Sequence, residues 1–214
     1  MGAKTWMLAY VDGKASEILK SKPQLDRKAA SALARQLFPS DKLETIDDGD
    51  LSFTCPPDNE IYVGCFPGLS IIAASEFGID YPSKLRPGFL GAATGSTVYF
   101  HAMHSVVDWF AYAIWVNGKI QRSLSLSPDS GILEDIGPKL SFEQPYWSGR
   151  HPVCDPEEED CDYPFPFHPL DLGEAALLEL FGYQLEGAVD ASHLEPEQIT
   201  LAGFKRVKSR WKLW

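Results

Sequence analysis

Three stretches of this 214-residue chain carry side chains able to do chemistry. The densest is HPVCDPEEEDCDYPFPFHP, from His151 to Pro169, where two histidines bracket two cysteines and an acidic run. Zinc takes four Cys, His or carboxylate ligands in a tetrahedron, and His151, Cys154, Cys161 and His168 are of the right types. Their spacing argues against the site. Two residues separate the first pair and six separate each of the next two, whereas structural zinc sites keep each half tight. Calcium would find oxygen ligands here, but neither the regular spacing nor the turn glycine of a calcium loop. A solvated acidic loop, held extended by its prolines, fits the composition best. A Cys154–Cys161 disulfide is a further alternative. No metal and no cofactor is expected.

The second stretch, HAMHSVVDW, places His101, His104 and Asp108 together, the residue types of a general acid–base site in a hydrolase. The segment reads as a strand, and an odd separation sends the two rings to opposite faces. One core and one surface histidine is the plainer expectation. The third candidate is Arg122, in WFAYAIWVNGKIQRSLSLS. Asn117-Gly118 between two alternating runs is a strong hairpin signal. A two-residue turn pairs Val116 with Lys119, Trp115 with Ile120, Ala113 with Arg122 and Trp109 with Leu126. One face then carries Trp109, Trp115, Ile120, Leu124 and Leu126, and is the expected core side. Phe110, Tyr112, Ile114, Gln121, Ser123 and Ser125 lie on the other. Arg122 falls on the tryptophan face, where a guanidinium has to stack on an indole or meet a carboxylate, Asp108 or Glu143. A buried structural pair is the first expectation. An anion-binding cleft using Arg122, Trp109, Trp115 and Glu143 is the second.

Other signals are weaker. Cys65 has no assignable base and reads as core. Ser70 lacks the frame of a nucleophile elbow, and GAATGSTVY has neither the lysine nor the spacing of a phosphate loop. KRVKSRWKLW, at the C-terminal end of the sequence, mixes basic and aromatic residues, but a net charge of −11 and a pI near 4.8 disfavour nucleic acid or an anionic membrane as partner. No apolar run reaches the ~20 residues that span a bilayer. The opening MGAKTWMLAYVDG is too short in apolar residues for a signal peptide, and Trp6 stands where a myristoylation signal needs Ser or Thr. The expectation is a cytoplasmic protein whose four cysteines are thiols.

These residues need a scaffold, and the patterning outlines one. Thr5 to Val11 reads as a buried strand. Ser21, Pro23 and Gln24 open a helix with the apolar stripe Leu25, Ala29, Leu33, Leu37, stopped at Phe38-Pro39. Ile61–Phe66 and Leu69–Ala74 flank the turn pair Pro67-Gly68. Beyond Pro128 come loops and one short strand at Lys139–Phe142. Asp171 and Glu174 resemble a capping box for a helix that Gly182 ends. Ser192 and Glu195 precede a short helical turn. Lys205 to Trp214 alternates as a strand with a cationic face. Strands bounded by helices argue an α+β fold, a mostly antiparallel sheet with a few helices packed on it. A single domain over 1–214 is expected, with an acidic loop inserted at about 151–169.

Three blocks, MGAKTWMLAYVDG, GKIQRSLSLSPDSGILEDIGPKLSFEQPYWSGRHPV and YPFPFHPLDLGEAALLELFGYQLEG with the later ITLAGF, resemble an actinobacterial family of proteins of unknown function, from Met1 to Phe204. The resemblance implies no catalytic residues, because that family has no established activity. It includes His151 and His168 but not the cysteine-rich insert as a fixed part, which weighs further against zinc. The hairpin unit running on into GPKLSFE is similar to segments of other small bacterial families, to some of which toxin-neutralising or partner-binding roles are attributed. The functional expectation is a cytoplasmic binding or interaction protein whose partner is an unknown protein or a small molecule. A hydrolase using His101, His104 and Asp108 near Arg122 is the first alternative. A toxin-immunity-like protein with an acidic binding surface is the second.

Overall fold

The computed structural model of the chain describes residues 2–93, 97–154, 162–187, 190 and 192–207. Its strands are β1 (Lys4–Val11), β2 (Leu43–Asp50), β3 (Glu60–Phe66), β4 (Leu69–Ala73), β5 (Thr97–His104), β6 (Trp109–Val116), β7 (Lys119–Ser127), β8 (Gly131–Ile136) and β9 (Thr200–Arg206). They form one nine-stranded sheet in the order β2-β9-β3-β4-β1-β5-β6-β7-β8, with antiparallel pairing between all neighbouring strands. Helices α1 (Ala15–Lys20), α2 (Arg27–Leu37), α3 (Pro87–Gly91), α4 (Gln144–Trp147) and α5 (Pro169–Phe181) complete the α+β fold. No helix among the described residues is long and apolar enough to cross a membrane.

Both faces of the sheet are covered, which explains why β1 is apolar almost throughout. Met7, Ala9 and Val11 join one core, with Phe110, Tyr112 and the inner face of α5. Leu8 and Tyr10 join the other, with Ala30, Leu33 and Ala34 of α2. Helix α2 begins at Arg27, five residues later than an N-cap at Ser21 would set it, because Asp26 is the residue that accepts the Ala29 N–H (2.9 Å). His168, not Asp171, caps α5 by accepting from the Leu170 N–H (3.3 Å). Gly182, at φ +85°, ends that helix as expected. The C-terminal strand is Thr200–Arg206, and positions 208–214 of the expected strand lie outside the described residues. Residues 139–142 form no strand, and the strand after Pro128 is Gly131–Ile136 instead.

The Asn117-Gly118 turn forms as expected, with both residues at positive φ (50° and 74°). Val116 pairs with Lys119 and Trp115 with Ile120. The register then shifts, so that Ile114 faces Arg122 and Ala113 faces Ser123. Gln121 is the extra residue of a β-bulge, and a one-residue bulge moves every following side chain to the opposite face. The expected facing is therefore corrected. Trp109, Ala111, Ala113 and Trp115 pack on the α2 side, while Phe110, Tyr112, Leu124 and Leu126 pack on the α5 side. Gly137 accommodates the bulge: at φ +80° it approaches so closely that a Cβ would lie 2.0 Å from the Gln121 carbonyl oxygen.

The bulge delivers Arg122 to Glu143, not to the indoles of Trp109 and Trp115. Both side chains of the pair are 0% exposed. Arg122 Nε and Nη2 donate to the two Glu143 oxygens at 2.8 and 2.7 Å. Nη1 donates to Asp135 (2.5 Å) and to the carbonyls of Ile136 (3.0 Å) and Gly137 (3.2 Å). Glu143 also accepts from the Tyr112 hydroxyl (2.5 Å), the Leu140 N–H (2.8 Å) and the Trp147 indole (3.3 Å). Burial alone would push the two pKa values toward neutral forms. The hydrogen bonds outweigh it, so the Arg122 pKa is raised and the Glu143 pKa lowered. Removing one member strands the other charge, at a cost of ~3–5 kcal/mol. Arg122→Ala should lower the melting temperature by roughly 10 °C for a chain of this size. Arg122→Lys, which lacks the planar fork, should recover only part of that loss. A circular-dichroism melt that matches wild type for Arg122→Ala would contradict this assignment.

Candidate functional site

His101 and His104 lie three residues apart on β5 and face opposite sides of the sheet. His101 is buried in the α5-side core. Its Nε2 lies 3.0 Å from the Gly173 carbonyl, which can only accept, so Nε2 carries the proton. Nδ1 then accepts from the Thr5 hydroxyl at 2.7 Å. Gly173 permits the approach, because a Cβ there would press on Met103 and Phe110 at 3.1 Å. Burial lowers the His101 pKa to about 4 against the opposing Gly173 bond. The ring is a neutral strut between β1, β5 and α5.

His104 is different. It sits directly opposite Trp109 on β6, and diagonal to Trp6 on β1. The Trp6 and His104 rings stack, with centroids 6.4 Å apart and planes inclined by 18°. The Trp109 indole N–H donates to Ser125 Oγ at 3.2 Å, which fixes that ring. Gly78 passes over Trp6, where a Cβ would come within 3.1 Å of Nε1. These rings line a groove of about 370 Å³, with Asp80 and Asp129 on its walls and Leu133 of β8 at one side. Burial, then the nearby Lys4 charge, lower the His104 pKa. Its Nδ1 is buried and has no hydrogen-bond partner among the described residues.

The remaining candidates fall elsewhere. Asp108, in the left-handed region at φ +45°, faces His168, with Oδ2 3.5 Å from Nε2, and meets neither His101 nor His104. Arg122 and Glu143 form the buried pair, and Trp115 is core. His101, His104, Asp108 and Arg122 do not converge in one pocket. His151 stacks on Tyr146 at 4.3 Å. Cys154 is disulfide-bonded, which corrects the expectation of four thiols and withdraws one ligand from the zinc set of His151, Cys154, Cys161 and His168. Cys161 lies outside the described residues. Among the described residues no three His, Cys, Asp or Glu side chains gather as a metal site. Cys65 is buried, as expected, and burial pushes its thiol pKa up.

Sequence reading missed Trp6, Asp80 and Asp129, because only the pairing of β1 with β5 and the turn into β8 bring them to His104. It also gave Glu174 a capping role. Glu174 instead reaches across to the Leu185 N–H (2.7 Å), and burial raises its pKa to about 7 against that bond.

A family model described as a family of unknown function, DUF6928, matches residues 5–204. No curated protein and no solved structure matches the chain.

The two buried titrating groups predict an unusual pH profile. His101 titrates near 6.5 unfolded and near 4 folded, so its contribution is complete above pH 6.5 and is lost as pH falls toward 4. Glu174 titrates near 4.5 unfolded and near 7 folded, so its contribution is present below pH 4.5 and is lost as pH rises through 7. Between pH 4.5 and 6.5 the two slopes oppose each other. Glu174→Gln should therefore gain stability with rising pH in that window, relative to wild type, by up to about 1.4 kcal/mol per pH unit. Urea melts of both proteins across the window check this, and parallel profiles would contradict it.

Proposed function

The chain belongs to a family of unknown function, and we propose that it is a binding protein that holds an organic cation in the groove between Trp6, His104 and Trp109. The observation that carries this reading is the row of three rings across β1, β5 and β6, flanked by Asp80 and Asp129. Indole faces attract cations, by ~0.5–2 kcal/mol per contact. Two carboxylates add charge complementarity, and a neutral imidazole does not oppose it. A net charge of −11 draws cations toward the surface from a distance.

A volume of about 370 Å³ lies at the small end of ligand sites. It suits one amine or guanidinium group with a few attached carbons, whether a free small molecule or the side chain of a partner's Lys or Arg. The hydrolase alternative needs His104 and Asp108 to work together, and Asp108 is directed at His168 instead. The immunity-like alternative becomes the case in which the cation belongs to a basic protein.

Titration with n-butylamine, with a lysine-containing peptide and with butyrate, followed through the Trp6 and Trp109 indole N–H resonances, tests the reading. Both cations should saturate and butyrate should not. A peptide tighter than butylamine identifies the source as a protein side chain, and the reverse order identifies a free amine. Trp6→Ala and Asp129→Asn should each weaken binding about tenfold, equivalent to ~1.4 kcal/mol. Equal affinity for butylamine and butyrate, or no response to either cation, would overturn it.

A further inference from the structure

We infer that a second and larger cavity, at the N-terminal end of β1, is a separate site for a small apolar amine. The cavity, of about 1070 Å³, opens where Ala3 and Lys4 meet the 52–55 segment, the β5–β6 turn and residues 184–186, 190 and 193–197. Its volume is at the upper end of the range for small-molecule sites. Phe53, Val106, Leu185 and Leu194 give it apolar walls. Phe53 and Val106 are 56% and 72% exposed, large apolar side chains left at an open mouth.

Two further observations set the ligand class. Around the apolar walls stand Glu186, Asp190, Glu195 and Glu197, with Lys4 the one lysine or arginine among the described lining residues. A carboxylate ligand would meet repulsion there, and an amine would meet attraction. The second is a buried polar atom of the lining without a partner among the described residues. His193 lines the cavity, and its Nδ1 is buried and unpaired. Behind the lining, Glu174 accepts from the Leu185 N–H and so fixes one wall. An imidazole nitrogen left unpaired in this way costs free energy that a donor can recover. An amine with an apolar body supplies both the donor and the surface.

Cys55 gives a direct readout, because this free, half-buried thiol lines the cavity. Burial pushes its pKa up, against an opposing influence from Lys4, so it reacts slowly enough to time. Cys65, the other free thiol among the described residues, is removed by Cys65→Ala. In that background, iodoacetamide labelling of Cys55 is timed with phenethylamine or with phenylacetate, which share a body and differ in charge. Saturating phenethylamine should slow labelling by about tenfold, and phenylacetate should not. Protection should survive Trp6→Ala, which removes a wall of the other groove, and should weaken in Glu186→Gln/Glu197→Gln. Equal protection by both probes, protection by neither, or protection lost with Trp6→Ala would each overturn the inference.

Discussion

A guanidinium taken wholly out of water has to be matched bond for bond, and much of this molecule is arranged to match one. Arg122 uses its fork on Glu143 and its remaining reach on Asp135 and on the carbonyls of Ile136 and Gly137. Those last partners belong to β8 and the residues just after it. An edge strand has neighbours on one side only, and β8 leaves Ile132 and Ile136 exposed. The side-chain bonds from Arg122 add to its backbone pairing with β7. From Glu143, the same network reaches Tyr112 of β6, Leu140 and Trp147 of α4. One ion pair therefore ties the edge of the sheet to the segment that covers it.

The groove on the opposite face depends on that tie. Asp129 sits in the turn between β7 and β8, and Leu133 lies on β8 itself. The bulge at Gln121 sends Arg122 to the α5 side and leaves the Trp109 face with a buried carboxylate, Glu134, held by the Ser123 hydroxyl and by Ser83. Aromatic rings and two carboxylates can then share a water-accessible groove there. The candidate groove and the stabilising ion pair thus lie on opposite faces of one hairpin.

How much of this was readable varied with the range of the forces involved. The turns at Pro67-Gly68 and Asn117-Gly118 depend on local backbone preferences, and both formed with the expected flanking pairs. The apolar run of β1 and the stop of α2 before Pro39 were legible for the same reason. The bulge was not, since nothing in KIQRSLSLS marks Gln121 as extra. Its cause lies in the packing of Gly137 against the Gln121 carbonyl and in the demand of Glu143, sixteen and twenty-two residues further on. Of the candidate residues, His104 and Trp109 meet in the groove while His101 and Asp108 do not, because strand parity decides the first and a left-handed turn residue the second. Glu143 was named as a partner of Arg122, whereas Asp135 was hidden by reading GILEDI as loop.

The buried pair holds β8, and with it the groove wall. Native-state hydrogen exchange on Glu143→Gln tests that most directly. The substitution keeps shape and removes charge. Amides of β8 should exchange through a local opening, with protection reduced at least tenfold, while those of β1 and β5 retain their protection relative to global unfolding. If β8 keeps the same margin below the global limit as in wild type, the pair does not hold the strand, and the dependence of the groove upon it is wrong.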